Sequence, residues 1–335
     1  MRPRRRRTRQ LLAAGATAGR YQPTGGYPRG ARAVVSCRRF EVLEASVIVI
    51  GDEILGGYVT DTNSPWLADR LRAHGVPLTR IHVVPDELPA IDEALSAELA
   101  RSRPRLILTS GGIGSTPDDV TYEAVAASLG RDLVEDATIG ARIDGALDWT
   151  AEQGVEVDDG FAWHLKRMAR IPADSRLLSG HAGWAPGVAI DVDGGCDVDG
   201  GATIVVLPGV PREFRLLVSG ALEPQLLAGR NDVPAVAEIE HAFPESALNL
   251  TFAALGEQHP DVKLGSYPGR PMLVRLSGAA DEVAAAEAFV RGRIEDLAAT
   301  PGGRKLQEAW SARHAAADEV VPEERSPTTA GEEPR

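Results

Sequence analysis

The sequence predicts an α/β fold, a mostly parallel sheet with helices on both faces, followed by a small α+β unit. Three observations predict it. Short continuous apolar runs, the mark of strands buried on both faces, recur from Ala45 onward. Segments with apolar residues at helical spacing alternate with them. The lengths of both are those of βαβ units.

SVIVIG at 46–51 reads as the first buried strand. Asn63-Ser64-Pro65 then opens a helix, with a cap residue and a proline at its start, and Gly75 stops it. TRIHVV at 79–84 is the second strand. Leu88, Ile91, Leu95 and Leu99 follow at helical spacing. RLILTS at 105–110 is the third strand, and 118–129 the third helix. Residues 136–170 read as mostly helical, with a polar break at 154–160. GVAIDV at 187–192 and TIVVLP at 203–208 flank a turn-rich hairpin, and Pro211 opens a helix to about 227. The pattern then changes to strand 236–243, helix 244–255, strands 262–268 and 272–278, and helix 281–297. The boundaries predicted are a disordered basic extension at 1–44, an α/β domain at 45–233, an α+β subdomain at 234–299 and a disordered acidic tail at 300–335.

Composition narrows the function. The chain has 335 residues and a formal charge of −12. Residues 1–40 hold 11 of the 36 basic residues and none of the 48 acidic ones, leaving 25 basic against 48 acidic, a net −23. A body this acidic repels nucleic acid and anionic membrane surfaces. No apolar run reaches the ~18 residues that span a bilayer. The N-terminal residues begin like a signal n-region, but the apolar part is short and alanine-rich, so an extension is expected, with Val42 as an alternative start. Two cysteines, Cys37 and Cys196, make neither a disulfide framework nor a zinc set, which suits a reducing cytoplasm. The seven histidines show no ligand spacing. A homo-oligomer is left open.

Chemistry concentrates where three parallel strands end. The first ends in Gly51-Asp52-Glu53, the second in Val84-Pro85-Asp86, and the third in Ser110-Gly111-Gly112-Ile113-Gly114 followed by Asp118-Asp119. Ligands of open parallel sheets bind beyond these carboxyl ends, so topology brings the loops together. Taken singly, Asp52-Glu53 also reads as a solvated turn, and Asp86 and Asp118 as helix caps. Together they describe a pocket. Amides freed by Gly111, Gly112 and Gly114 can cradle an anion, with Ser110, Ser115 and Thr116 adding hydroxyl donors. The loop is neither a Walker loop nor a dinucleotide fingerprint. Asp52, Asp86 and Asp119 would hold a divalent cation (magnesium, manganese or cobalt) that bridges them to phosphate. Carboxylates can equally accept hydrogen bonds from the amino groups of a purine or pterin. A second cluster, Ala185-Pro186-Gly187 with Pro208-Gly209 and Arg212-Glu213, reads either as rigid turns or as a fourth wall of the same pocket.

GDEILGGYVTDTNSPWLADRL (51–71), TSGGIGSTPDDVTYEAVA (109–126), APGVAI (185–190), LPGVPREF (207–214) and VKLGSYP (262–268) occur together and in order. They resemble the MoaB/Mog-type molybdopterin-binding domain as it occurs in the competence/damage-inducible CinA family, over residues 45–298. The resemblance implies a three-layer α/β/α sandwich. It implies that Asp52, Asp86 and Asp119 line the ligand site, with Thr121 and Glu123 completing the last motif and Gly51, Glu53 and Asn63 within the first. It implies either a divalent-metal-dependent pyrophosphatase acting on a nucleotide diphosphate such as ADP-ribose or FAD, or a protein that binds molybdopterin or its adenylated form without hydrolysis. Two positions depart from the family's pattern. Ser115 replaces a proline, and Trp184 replaces the threonine of the turn at 183–186. No segment resembles the C-terminal amidase domain or a nucleotidyltransferase domain, so neither deamidation nor FAD synthesis is implied.

Overall fold

A computed structural model describes residues 42–317, apart from 157, 181–183, 199 and 270. The basic extension, Cys37 and the end of the tail lie outside the described residues. The elements run β1 (Glu44–Ile50), α1 (Asp52–Leu55), α2 (Asn63–Ala73), β2 (Leu78–Val84), α3 (Leu88–Leu99), β3 (Arg105–Ser110) and α4 (Thr121–Leu129). Next come β4 (Leu133–Glu135), α5 (Ala137–Glu152), α6 (Asp159–Arg167), β5 (Arg170–Pro172), β6 (Ser175–Leu178), β7 (Gly187–Val192), β8 (Ala202–Leu207) and α7 (Pro211–Leu217), which continues as π-helical turns over Val218–Leu227. The last part holds β9 (Ala235–His241), a 3₁₀ turn, α8 (Asn249–Gln258), β10 (Lys263–Tyr267), β11 (Met272–Gly278), α9 (Ala280–Ala299) and α10 (Pro301–Ala317).

The main sheet has the order β2-β1-β3-β8-β7-β6. β2, β1, β3 and β8 are mutually parallel, and β7 and β6 close the sheet antiparallel. Alternate residues of β1 serve opposite cores, which is why its apolar run is continuous. Val47 and Val49 pack with Leu67, Leu71, Phe214 and Leu217 from α2 and α7. Ile48 and Ile50 pack with Ile91, Leu95, Val125 and Ile143 from α3, α4 and α5. The fold is therefore the expected three-layer α/β/α sandwich. A three-stranded antiparallel sheet, order β10-β11-β9, buries Ile239, Val274 and Leu276 against Val283, Ala286 and Val290 of α9. No helix among the described residues is long and apolar enough to cross a membrane.

Four local expectations are corrected. The tail does not become irregular at residue 300, because Pro301–Ala317 is helical. Its run of alanine, leucine, lysine and arginine is a good helix former despite the polar composition. The third helix begins at Thr121 rather than at 118. The second helix is capped from Asp61, whose Oδ1 accepts the amides of Asn63 (2.9 Å) and Ser64 (3.0 Å). Short strands β4, β5 and β6 stand where no strand is expected, since three or four residues carry too little alternation to read.

At the amino ends of the strands lies a buried charge network. Arg105 is fully buried and donates to Glu98 (3.0 Å) and Glu44 (2.8 Å). His82 bonds the other oxygen of Glu98 at 2.9 Å. Burial would raise the Glu98 carboxyl, but His82 and the charges of Arg105 and Arg101 more than offset this and hold it below its usual range.

Candidate functional site

The chain leaves β1 on one side to form β2 and later returns on the other side as β3. That reversal opens a crevice beyond the carboxyl ends, where open α/β sheets place their ligands. The loops after β2, β1, β3 and β8 lie side by side along this edge. β7 is antiparallel to β8, with Val188 opposite Val206, so the turn before β7 reaches the same edge.

The glycine turn after β3 has a clear cause. Gly111 has φ +111°, and a Cβ there would lie 2.2 Å from the Ile50 carbonyl oxygen. Gly112 has φ +67°, and its Cβ would lie 2.3 Å from Thr121 Oγ1. Only glycine fits these approaches. Thr121 locks the turn, its hydroxyl donating to Gly111 O and its amide to Gly112 O, both at 3.0 Å. The Gly111 amide donates to Leu207 O at 3.2 Å, so it is not free for an anion as expected. Gly114 lacks a Cβ where Asp119 Oδ2 folds in, 2.6 Å from where that Cβ would lie.

Asn63 ties three loops together. Its Nδ2 donates to Ser110 Oγ (3.1 Å) and to Gly209 O (2.8 Å), while its Oδ1 is buried without a partner. Gly209 lies against Gly111, with only 3.2 Å between the Gly111 Cα and the place of a Gly209 Cβ. Pro208 is buried beside it. Glu213 Oε2 accepts the Ala185 amide at 3.1 Å, which joins the fourth loop to the turn before β7. The two turns of the second cluster are thus joined to each other, and Glu213 spends an oxygen on that bond.

The acids divide differently from expectation. Asp86 does not cap its own helix; its Oδ2 accepts the Asp52 amide at 2.9 Å and so joins the first two loops. Burial pushes the Asp86 carboxyl above its usual range. The Asp52 amide opposes this, and the charges of Glu53, Asp52 and Asp118 push it further up. Glu53 folds over Gly51, its carboxylate oxygens 2.8 Å from where a Cβ would stand. Asp119 turns inward: its Oδ2 accepts the Thr116 amide at 2.9 Å and also the Thr116 hydroxyl. Asp118 is the exposed acid whose charge reaches Asp86. Two expectations are therefore corrected. Asp118 does not serve the start of α4, and Thr116 is not a free donor. Among the described residues, no three acid, histidine or cysteine side chains form a metal-holding group, so Asp52, Asp86 and Asp119 are not gathered as a ligand triad. The physical reason is the Thr116 turn, which occupies Asp119. Asp86 remains tied to the first loop through the Asp52 amide, with the Asp52 charge acting on its carboxylate, and a magnesium-type cation uses one or two carboxylates plus waters and substrate phosphate. Ser115 stays half-buried in the same turn.

One residue escapes sequence reasoning. Arg167, at the end of α6, donates to Asp119 O (2.8 Å), Thr116 O (3.3 Å) and Glu123 Oε1 (3.0 Å). It clamps the acid-bearing loop and accounts for Glu123. Nothing in its local sequence marks it, because its partners lie 44 to 51 positions away. Trp184 is 41% exposed, and its carbonyl accepts from Arg142 at 3.4 Å. Its neighbour Gly183 and His181 lie outside the described residues.

The family described as "Probable molybdopterin binding domain" matches residues 46–228. The chain is 34% identical over 235 residues to a CinA-like protein of Myxococcus xanthus, covering 67% of this chain and 51% of that one. It is 39% identical over 210 residues to a CinA-like protein of Mycolicibacterium vanbaalenii, covering 61% of this chain and 47% of that one. The solved structure of the protein CinA from Thermoplasma acidophilum aligns at 34% identity and a TM-score of 0.43, over 53% of this chain and 95% of that one. The chain spans about half the length of these curated relatives.

Proposed function

The chain belongs to the molybdopterin-binding-domain family in its CinA-like form, and on that premise we propose that it is a divalent-metal-dependent pyrophosphatase acting on a nucleotide diphosphate such as ADP-ribose or FAD. The observation that carries this reading is the joined pair Asp52 and Asp86, with Glu53 and Asp118 close enough to raise the Asp86 carboxyl. Like charges crowded beyond the strand ends are costly unless a cation arrives. A divalent cation there would neutralise phosphate and lower the pKa of bound water. The chain's own groups would do the rest. Asp52 and Asp86 would hold the cation. Asn63 and the Gly111–Gly112 turn would fix the loops, and Arg167 would hold the Asp118–Asp119 loop against the entering diphosphate. Water oxygen would bond to one phosphorus, the bridging oxygen would leave with the other phosphate, and a nucleoside monophosphate would be released.

The test is incubation with ADP-ribose or FAD and magnesium, manganese or cobalt, with AMP release as the readout. Release by the wild type and its loss in Asp86→Asn supports the reading. No release, or equal release by both proteins, rejects it. A second reading, binding of a pterin without hydrolysis, is favoured by the buried and unpartnered Asn63 Oδ1, which can accept from a ring N–H. Calorimetry with molybdopterin against ADP-ribose separates the two.

A further inference from the structure

We infer that Trp184 is a stacking platform for the planar ring of the ligand, and so a specificity-determining residue of this site. The inference rests on the reading of the carboxyl-end crevice as a nucleotide or pterin site.

Three observations support it. The first is position. β7 runs antiparallel to β8, so residues just before Gly187 emerge beside the end of β8 and the Pro208-Gly209 turn. β1, which Asp52 follows after Gly51, lies three strands from β7. At ~4.8 Å per strand that is about 14 Å. The acid-bearing loops and the turn that carries Trp184 thus stand toward opposite ends of one edge. This separation suits a ligand whose phosphates lie at one end and whose ring lies at the other.

The second is rigidity. The backbone around Trp184 is held on several sides. Ala185 is buried and gives its amide to Glu213 at 3.1 Å. Arg142 donates to the Trp184 carbonyl at 3.4 Å. Gly187 packs so closely on Leu217 that a Cβ would lie 2.4 Å from its Cδ2. A turn anchored in this way leaves little backbone freedom to lose on binding.

The third is chemistry. Trp66 packs edge-on against Phe214 at 6.2 Å, and Trp163 against His164 at 4.9 Å. Among the described residues no ring or cation covers Trp184, although its turn is anchored. An exposed, uncovered indole face at the end of the edge away from the acids fits stacking by the flat ring of a purine or pterin.

The experiment measures binding in the absence of divalent metal, so that turnover does not enter. ADP-ribose and a pterin are titrated by calorimetry into wild type, Trp184→Phe and Trp184→Ala, with inorganic pyrophosphate as the ringless control. The expected result is that Trp184→Ala weakens a ring-bearing probe at least about fivefold, as base–aromatic stacking predicts. Trp184→Phe should keep most of the affinity, and pyrophosphate should bind all three proteins alike. Preference for one ring-bearing probe names the ring. Unchanged affinity in Trp184→Ala, an equal loss for pyrophosphate, or no binding of either ring-bearing probe by wild type overturns the inference. So does an altered oligomeric state of the variant with unchanged affinity. Ring binding that depends on Trp184 without AMP release would keep the inference and remove the hydrolytic reading.

Discussion

The two ends of the central sheet treat carboxylates in opposite ways. At the amino ends Glu98 is fully buried, yet Arg105, His82 and Arg101 surround it, and it stays ionised below its usual range. At the carboxyl ends Asp86 is half-buried, and that burial, followed by the charges of Glu53, Asp52 and Asp118, pushes its carboxyl up. Arg167 clamps the loop that bears Asp118, and it spends its donors on two carbonyls and Glu123. The amino end balances its charge within the chain and so serves the fold. The carboxyl end does not, and its imbalance is what a cationic or hydrogen-donating ligand would relieve.

The strongest way to break this comparison is at the amino end. Arg105→Met leaves Glu98 buried with only His82 and Arg101, and should cost about 3–5 kcal/mol in urea denaturation. A loss below about 1 kcal/mol would mean that the network is not holding the fold. The glycine turn comes next. Gly111→Ala forces a side chain into the left-handed region and onto the Ile50 carbonyl. It should cost on the order of 1–3 kcal/mol and should also weaken ligand binding. Arg167→Met should cost about 1 kcal/mol in stability and free the 116–119 loop. It should raise KM for a nucleotide diphosphate more than it changes Tm.

The smallest effect has the opposite sign. The folded pKa of Asp86 lies above its unfolded value, so its ionisation costs the fold stability as pH rises through that interval. Asp86→Asn keeps an acceptor for the Asp52 amide and removes the charge. It should raise Tm at pH 7 by on the order of 1–2 °C for a chain of this size. That gain should vanish once the pH falls below about 4, where Asp86 is protonated in both states. The reverse holds for Glu98, whose contribution is present above its unfolded pKa and is lost as pH falls through its lower folded one.

The layers and the edge that carries the site were legible because buried parallel strands leave continuous apolar runs, and β1, β3 and β8 are buried along nearly their whole length. Three acid loops at one edge followed from that topology. The roles of the individual acids did not. Asp118 and Asp119 are adjacent in sequence, and only the turn at Thr116 decides which faces inward. Likewise Asp61 and Asn63 are both good caps, and the approach of Ser110 and Gly209 diverts Asn63 from that role. Arg167 was invisible because a long-range clamp leaves no local pattern. The tail helix is hard to read because its polar composition masks a good helix propensity.

The claim that the carboxyl end awaits a cation is tested most directly by thermal unfolding with manganese and ADP-ribose, for wild type and an Asp52→Asn/Asp86→Asn double variant. A ligand that binds only the folded state at 100 times its Kd adds about 2.7 kcal/mol. The account predicts that manganese and ADP-ribose together raise the wild-type Tm, saturably, beyond the rise with ADP-ribose alone, and that the variant lacks this additional rise. No additional rise, or the same additional rise in both proteins, would contradict it.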